Sequence, residues 1–125
     1  MTTRIIHEQP HEPLTNYLRT HRLKTGFTQE DVSGILRLIN RDVVSRHERQ
    51  EKLPSLLIAL SYEALYRVPV SKIFAGLAMT AEFNVEAQLA EYETYLGEQS
   101  GAGPRAVAIA RKLEWLSERR SSGDK

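Results

Sequence analysis

Basic side chains gather in one stretch of this chain. Between Leu14 and Pro54 the cations Arg19, Arg22, Lys24, Arg37, Arg41, Arg46, Arg49 and Lys52 outnumber the acids Glu30, Asp31, Asp42, Glu48 and Glu51. From Ala78 to Ser100 there are five glutamates and no base, and Gly101 to Lys125 turns basic again. A formal net charge of +1 over 125 residues therefore conceals a basic segment, an acidic one and a basic tail. The local field of such a cluster, and not the total, is what a phosphate backbone would feel; the bland alternative is a set of ordinary solvated helix faces.

Other chemistries are thinly represented. His7-Glu8 and His11-Glu12 set two histidines four residues apart, a spacing that on a helix could grip a metal ion, but Pro10 and Pro13 sit inside and beside that stretch. His21 and His47 read as surface and packing residues of a bundle. Cysteine is absent, which excludes disulfides, thiolate metal sites and cysteine nucleophiles and fits a reducing compartment. There is no glycine-rich phosphate loop. Convergent acids, bases or ligands are lacking, so the expectation is a protein that is not an enzyme and takes no cofactor or metal. No run approaches the roughly 18 apolar residues of a membrane span, and Met1 to Pro13 carries acids and histidines where a secretory signal would be apolar. A cytoplasmic protein without a membrane partner is expected.

The elements that must position the cations follow from punctuation and period. Residues 1–13 read as a flexible arm, or a short strand around Arg4-Ile5-Ile6, because prolines deny them a helix. A first helix can run from Leu14 to Thr25, with Leu14, Tyr17, Leu18 and Leu23 inward and Gly26 ending it. Thr28 caps a second, with Asp31 three residues on, Val32, Ile35 and Leu36 inward, and an end near Arg37. Asn40 caps a third in which Val43, Val44 and His47 face the core. Pro54-Ser55 opens a fourth carrying Leu56, Leu57, Ala59, Leu60, Ala64 and Leu65, closed by Val68-Pro69. Val70 to Ala75 makes a fifth, with Ile73 and Phe74 buried and Gly76 as its stop. Five short helices leave no room for a sheet, so the fold class is all-α. Two further helices follow: Ala81 to Leu96, with Val85, Leu89, Tyr92 and Leu96 at heptad-like spacing, and Pro104 to Arg120, with Ala106, Ile109, Ala110, Leu113 and Leu116. Gly97 to Gly103 reads as a flexible joint and Ser121 to Lys125 as disordered.

From Tyr17 to Leu77 the chain resembles the helix-turn-helix domain of the phage repressor and Cro type. The likeness rests on Leu18, Arg22, Gly26, Thr28-Gln29, Val32, Leu36, Val44-Ser45-Arg46-His47-Glu48-Arg49, Pro54-Ser55, Leu60, Val68 and Ile73-Phe74. It departs in a turn, Leu36 to Asn40, that is one residue longer than the commonest form and lacks the usual glycine. It departs again at Gln50, which stands where the family prefers glycine, so that a left-handed end to the third helix is in question.

The resemblance implies a five-helix DNA-binding domain over 14–77, a sequence-specific transcriptional regulator, and a third helix lying in the major groove. It implies that Arg41, Asp42 and, one turn later on the same face, Arg46 read bases, an arginine bonding guanine O6 and N7 and an aspartate accepting from cytosine N4. Asp42 has a plainer role open to it as a first-turn acid favoured by the helix dipole. Gln29, Thr28, Asn40, Ser45, Arg49, Lys52 and Ser55 are implied to hold phosphates, with Arg49 and Lys52 otherwise merely solubilising. Arg22 and Glu48 match positions that pair between the first and third helices.

Residues 78–125 are surplus to such a domain. Their apolar rows Val85, Leu89, Tyr92, Leu96, Ile109, Leu113 and Leu116 are expected either to join two copies into a homodimer on a pseudo-palindromic operator or to fold back on their own chain. A second reading keeps the bundle and gives it, or its C-terminal helices, a protein partner, as an antitoxin of this family holds its toxin.

Overall fold

The computed structural model describes residues 16–99 and 102–123. The expected arm at 1–13 with its two candidate metal-binding histidines, and Leu14, lie outside the described residues; the first helix begins at Leu18, later than expected, with Asn16 and Tyr17 outside it. Among those described there are seven helices and no strand, so the chain is all-α: α1 Leu18–Thr25, α2 Gln29–Ile35, α3 Arg41–Glu48, α4 Leu56–Tyr66, α5 Val70–Ile73, α6 Ala75–Glu98 and α7 Pro104–Gly123. They form two compact units, Met1–Ala81 and Glu82–Lys125, with the division falling inside α6.

Each of the first four helices starts beside a side chain that satisfies amides the helix itself leaves unpaired. Asn16 Oδ1 accepts from the amide of Leu18 at 3.0 Å. Thr28 and Asp31 form a reciprocal capping box, the Asp31 amide donating to Thr28 Oγ1 and the Thr28 amide to the Asp31 carboxylate. Asn40 Oδ1 accepts from the amide of Asp42, and Ser55 Oγ from that of Ile58. The ends are less expected. After α2 the chain turns through Arg37 at φ +60°, and after α3 through Gln50 at φ +64°. Both turns carry the same pair of backbone bonds: Leu38 N to Ser33 O with Arg37 N to Gly34 O, and Glu51 N to Arg46 O with Gln50 N to His47 O. Gln50 thus adopts the left-handed end that its lack of glycine put in question, and Arg37 does the same in the lengthened turn. Each holds its backbone at a cost of about 1–2 kcal/mol relative to glycine.

Leu18, Val32, Val44, Ala59, Tyr62, Ile73 and Phe74 form the core of this unit, flanked by Phe27, Leu36, Leu38, Ile58 and Leu65. Several side chains expected inside are not. Leu23, Ile35, Leu56, Leu57 and Leu60 are exposed. In α4 the reason is geometric: apolar residues occur all round the helix, but only the side carrying Ile58, Ala59, Tyr62 and Leu65 meets the core, and residues 56, 57 and 60 lie away from it. A shallow apolar groove results, lined by Leu53, Leu56, Ala59, Val70, Phe74 and Leu77 among others.

Boundaries also shift. The second helix ends at Ile35 instead of near Arg37. Gly76 does not stop a helix; the break comes at Phe74, φ −108° and ψ 53°, and α6 runs from Ala75 through Gly76. A helical glycine costs about 1 kcal/mol, which weakens a turn without ending it. Gly97 is helical, so the joint shortens to the residues after Glu98. Ser121 to Gly123, expected disordered, continue α7.

In the second unit α6 and α7 are antiparallel, since Gln99, Tyr92 and Glu86 bond in that order to Arg105, Lys112 and Arg119. Leu96 and Leu116 are buried within the single chain, and Leu89, Ile109 and Leu113 are half-buried.

A histidine and a tyrosine meet in the core of the first unit. His47 is buried, and its Nδ1 lies 2.8 Å from the Tyr62 hydroxyl. The Tyr62 ring meets the His47 ring edge-on and stacks on that of Tyr66. Burial, reinforced by the charge of Lys52, holds His47 below its ordinary value of 6.5, and burial pushes the Tyr66 hydroxyl up to about 12. The folded state thus favours neutral His47, and the unfolded chain binds its proton first. This contribution to stability is complete above the unfolded value and is lost as pH falls below it. Denaturant midpoints measured between about pH 7.5 and 5.5 should therefore fall on acidification, with His21, also lowered by burial, sharing the slope. His47→Gln, which can still bond Tyr62, should flatten that dependence; equal slopes for the two proteins would contradict the assignment.

Candidate nucleic-acid interface

The third helix has two faces of opposite character. Inward it presents Val44 and His47, both buried. Outward it presents Arg41, Asp42, Arg46 and Arg49, all exposed, with Ser45 half-buried between them. Arg46 follows Asp42 by four residues and Arg41 by five, so it shares a row with Asp42, while Arg41 shares one with Ser45. All three lie on the exposed face, in two adjacent rows. Among the described residues, the side chains of Arg41, Asp42 and Arg46 have no hydrogen bond or ion pair. Lys52, beyond the helix, is exposed and likewise unpaired.

Other residues assigned to the same surface are partly committed within the chain. The oxygens of Thr28, Asn40 and Ser55 accept helix-cap bonds. Ser45 Oγ accepts from Arg49 Nε at 3.1 Å, and Arg49 Nη1 reaches Glu51 Oε2 at 2.6 Å. Both partners of that ion pair are more than half exposed, so it is worth little and is readily exchanged for another anion.

Beneath the helix lies a buried network. Arg22 and Glu48 meet as a fork, Nε to Oε2 at 2.6 Å and Nη2 to Oε1 at 3.1 Å, and Arg22 Nη1 donates to the carbonyl of Phe27 at 3.1 Å. Their side chains are 10% and 3% exposed. The bond to Glu48 holds the Arg22 guanidinium above its ordinary value against the opposing effect of burial. Gln29 joins them, its Nε2 donating to Glu48 Oε1 at 3.0 Å. Sequence reasoning aimed this amide at a phosphate and missed the bond, because a contact nineteen residues away leaves no local pattern. It also missed Asn16, whose Nδ2 donates to the carbonyl of His47 at 3.1 Å and ties the start of α1 to the end of α3.

The arrangement can do one thing chemically. It offers two unpaired guanidinium groups and a carboxylate on a short helix whose inner face is fixed by the core and by a buried ion pair. Among the described residues no group of three or more histidines and acids could hold a metal ion, and no helix is long and apolar enough to cross a membrane. No family model, curated protein or solved structure matches the chain.

The network makes a specific energetic demand. Glu48→Ala would leave the Arg22 charge desolvated and unpaired, at a cost of about 3–5 kcal/mol. The paired replacement Arg22→Met with Glu48→Leu removes both charges and should recover most of that loss in a urea titration. A double variant no more stable than Glu48→Ala would show that the loss does not come from a stranded charge.

Proposed function

We propose that the chain is a sequence-specific double-stranded DNA-binding protein that acts as a transcriptional repressor, with α2 and α3 as a helix-turn-helix and α3 seated in the major groove. The observation that carries the reading is the exposed, unpaired set Arg41, Asp42 and Arg46 on a helix held from below by Arg22, Glu48 and Gln29. Unpaired guanidinium groups on a fixed helix suit bidentate bonds to guanine O6 and N7, because little ordering remains to be done on binding. Lys52 and the loosely paired Arg49 suit the phosphates beside the groove, with the capped start of α2 at Thr28 supplying amide donors. This is a binding function, without catalysis.

One such domain covers a single half-site, and a pseudo-palindrome read by two copies gains both affinity and specificity. We assign the pairing of copies to the second unit. Leu96 and Leu116 are already covered inside one chain, so the surface between copies narrows to the exposed Val85 and Tyr92, the half-buried Leu89, and the neighbouring exposed Phe83.

Two measurements test this reading. On a duplex selected from a random pool, Arg46→Ala and Arg41→Ala should each weaken binding by about 1–3 kcal/mol and relax the preference at one base pair. Lys52→Ala should instead weaken all sequences alike and reduce the salt slope by about one. An Arg46→Ala protein with unchanged affinity and specificity would remove α3 from the groove. Val85→Glu combined with Tyr92→Glu should convert a sedimenting dimer into a folded monomer with poor affinity for the duplex. Persistence of the dimer would move the interface elsewhere, and retention of DNA only when a second protein is added would favour a partner-binding module.

A further inference from the structure

We propose that Ile39 is a specificity-determining residue that recognises the 5-methyl group of a thymine next to the base pair contacted by Arg41. The proposal rests on the DNA-binding reading above. Ile39 is 91% exposed, more than any other large apolar side chain among the described residues. It immediately precedes the helix cap Asn40. A hydrophobic residue at that position ordinarily packs against the fourth residue of the helix, fixing the angle at which the chain enters. Here that fourth residue is Val44, which is fully buried in the core, and Ile39 does not share its burial. The anchoring role is filled instead by Leu38, which packs against the core and whose amide donates to Ser33 O at 2.8 Å.

Ile39 is thus held between two fixed neighbours, Leu38 in the core and Asn40 at the cap, with its own side chain turned outward. Its β-branch leaves that side chain few rotamers to lose on contact. The exposed cations Arg41 and Arg37 lie two residues to either side in sequence. An apolar partner protein would have to bring anionic groups to both; a duplex does so with its phosphates. On the edges of the bases in the major groove, the thymine methyl is the apolar feature. Asn40, Arg41 and Asp42 separate Ile39 from Val43, the first apolar side chain of α3, so an apolar contact there suits a single small group and not an extended apolar surface.

The test uses the full chain and a duplex selected by the wild-type protein from a random pool, with each thymine replaced singly by deoxyuridine, which removes the methyl group alone. One position per half-site should lose about four-fold in affinity, the equivalent of one buried carbon. Ile39→Ala should bind the unmodified duplex about four-fold more weakly and be indifferent to uracil at that same position. Ile39→Val should keep the dependence with a smaller amplitude. A flat scan for the wild-type protein, or an unchanged scan for Ile39→Ala, would overturn the proposal while leaving DNA binding standing. Failure to select any duplex would overturn the DNA-binding reading itself, and this inference with it. Since the side chain is exposed, both variants should retain the wild-type denaturant midpoint, which separates a lost contact from a lost fold.

Discussion

Arg22 and Glu48 bring opposite charges together under the surface, and the orientation of α3 depends on how well they are matched. Each charge alone would be expensive to take out of water. Together they form a fork, and the remaining polar atoms find Phe27 O and Gln29 Nε2. Three segments meet there: α1 supplies the arginine, the start of α2 the glutamine, and the last residue of α3 the carboxylate. A domain with a net stability of about 5–15 kcal/mol cannot lose one partner lightly. The network joins α3 to α1 and to the start of α2 through these bonds.

Along the same inner side of that helix the second constraint is packing. Val44 and His47 are buried, and the His47 ring takes its partner from Tyr62 of α4. Between the ion pair at the end of α3 and the buried row along its length, the helix has little freedom to roll. The exposed arginines inherit this rigidity through their backbone, which is the condition for reading a base edge at hydrogen-bond distance. Turns bracketing the helix add to it at a cost: Arg37 and Gln50 accept left-handed backbone where glycine would be at ease. The backbone bonds they complete, together with the caps at Asn40 and Thr28, hold those conformations in place.

The second unit is built on a different balance. Its helices carry exposed ion pairs, Arg119 with Glu86 and Arg120 with Glu93. Such pairs contribute little to stability and weaken with salt. Among its described residues only Leu96 and Leu116 are buried apolar side chains. Phe83, Val85, Tyr92, Tyr95, Val107 and Trp115 remain exposed.

Much was legible in the sequence where the signal is local. Thr28 with Asp31, Asn40 and Ser55 announced helix starts, because capping is a contact between residues two or three apart, and the all-α class followed from the period and punctuation of the segments. The alternation of basic, acidic and basic stretches was likewise readable, and so were the two segments that became α6 and α7. Tertiary structure decided the rest. Which side of α4 is buried could not be read from a helix apolar on every side; only the placement of α1, α3 and α5 selected the side carrying Ile58, Ala59, Tyr62 and Leu65. Gln29 was assigned by position to a phosphate, but the carboxylate it bonds comes from α3. The exposure of Ile39 follows from Leu38 taking the place against the core, a choice between adjacent apolar residues that the lengthened turn made and no periodicity records. Caps and turns are settled by a few neighbouring atoms, and the sequence carries them; faces, partners and angles are settled by what packs against them.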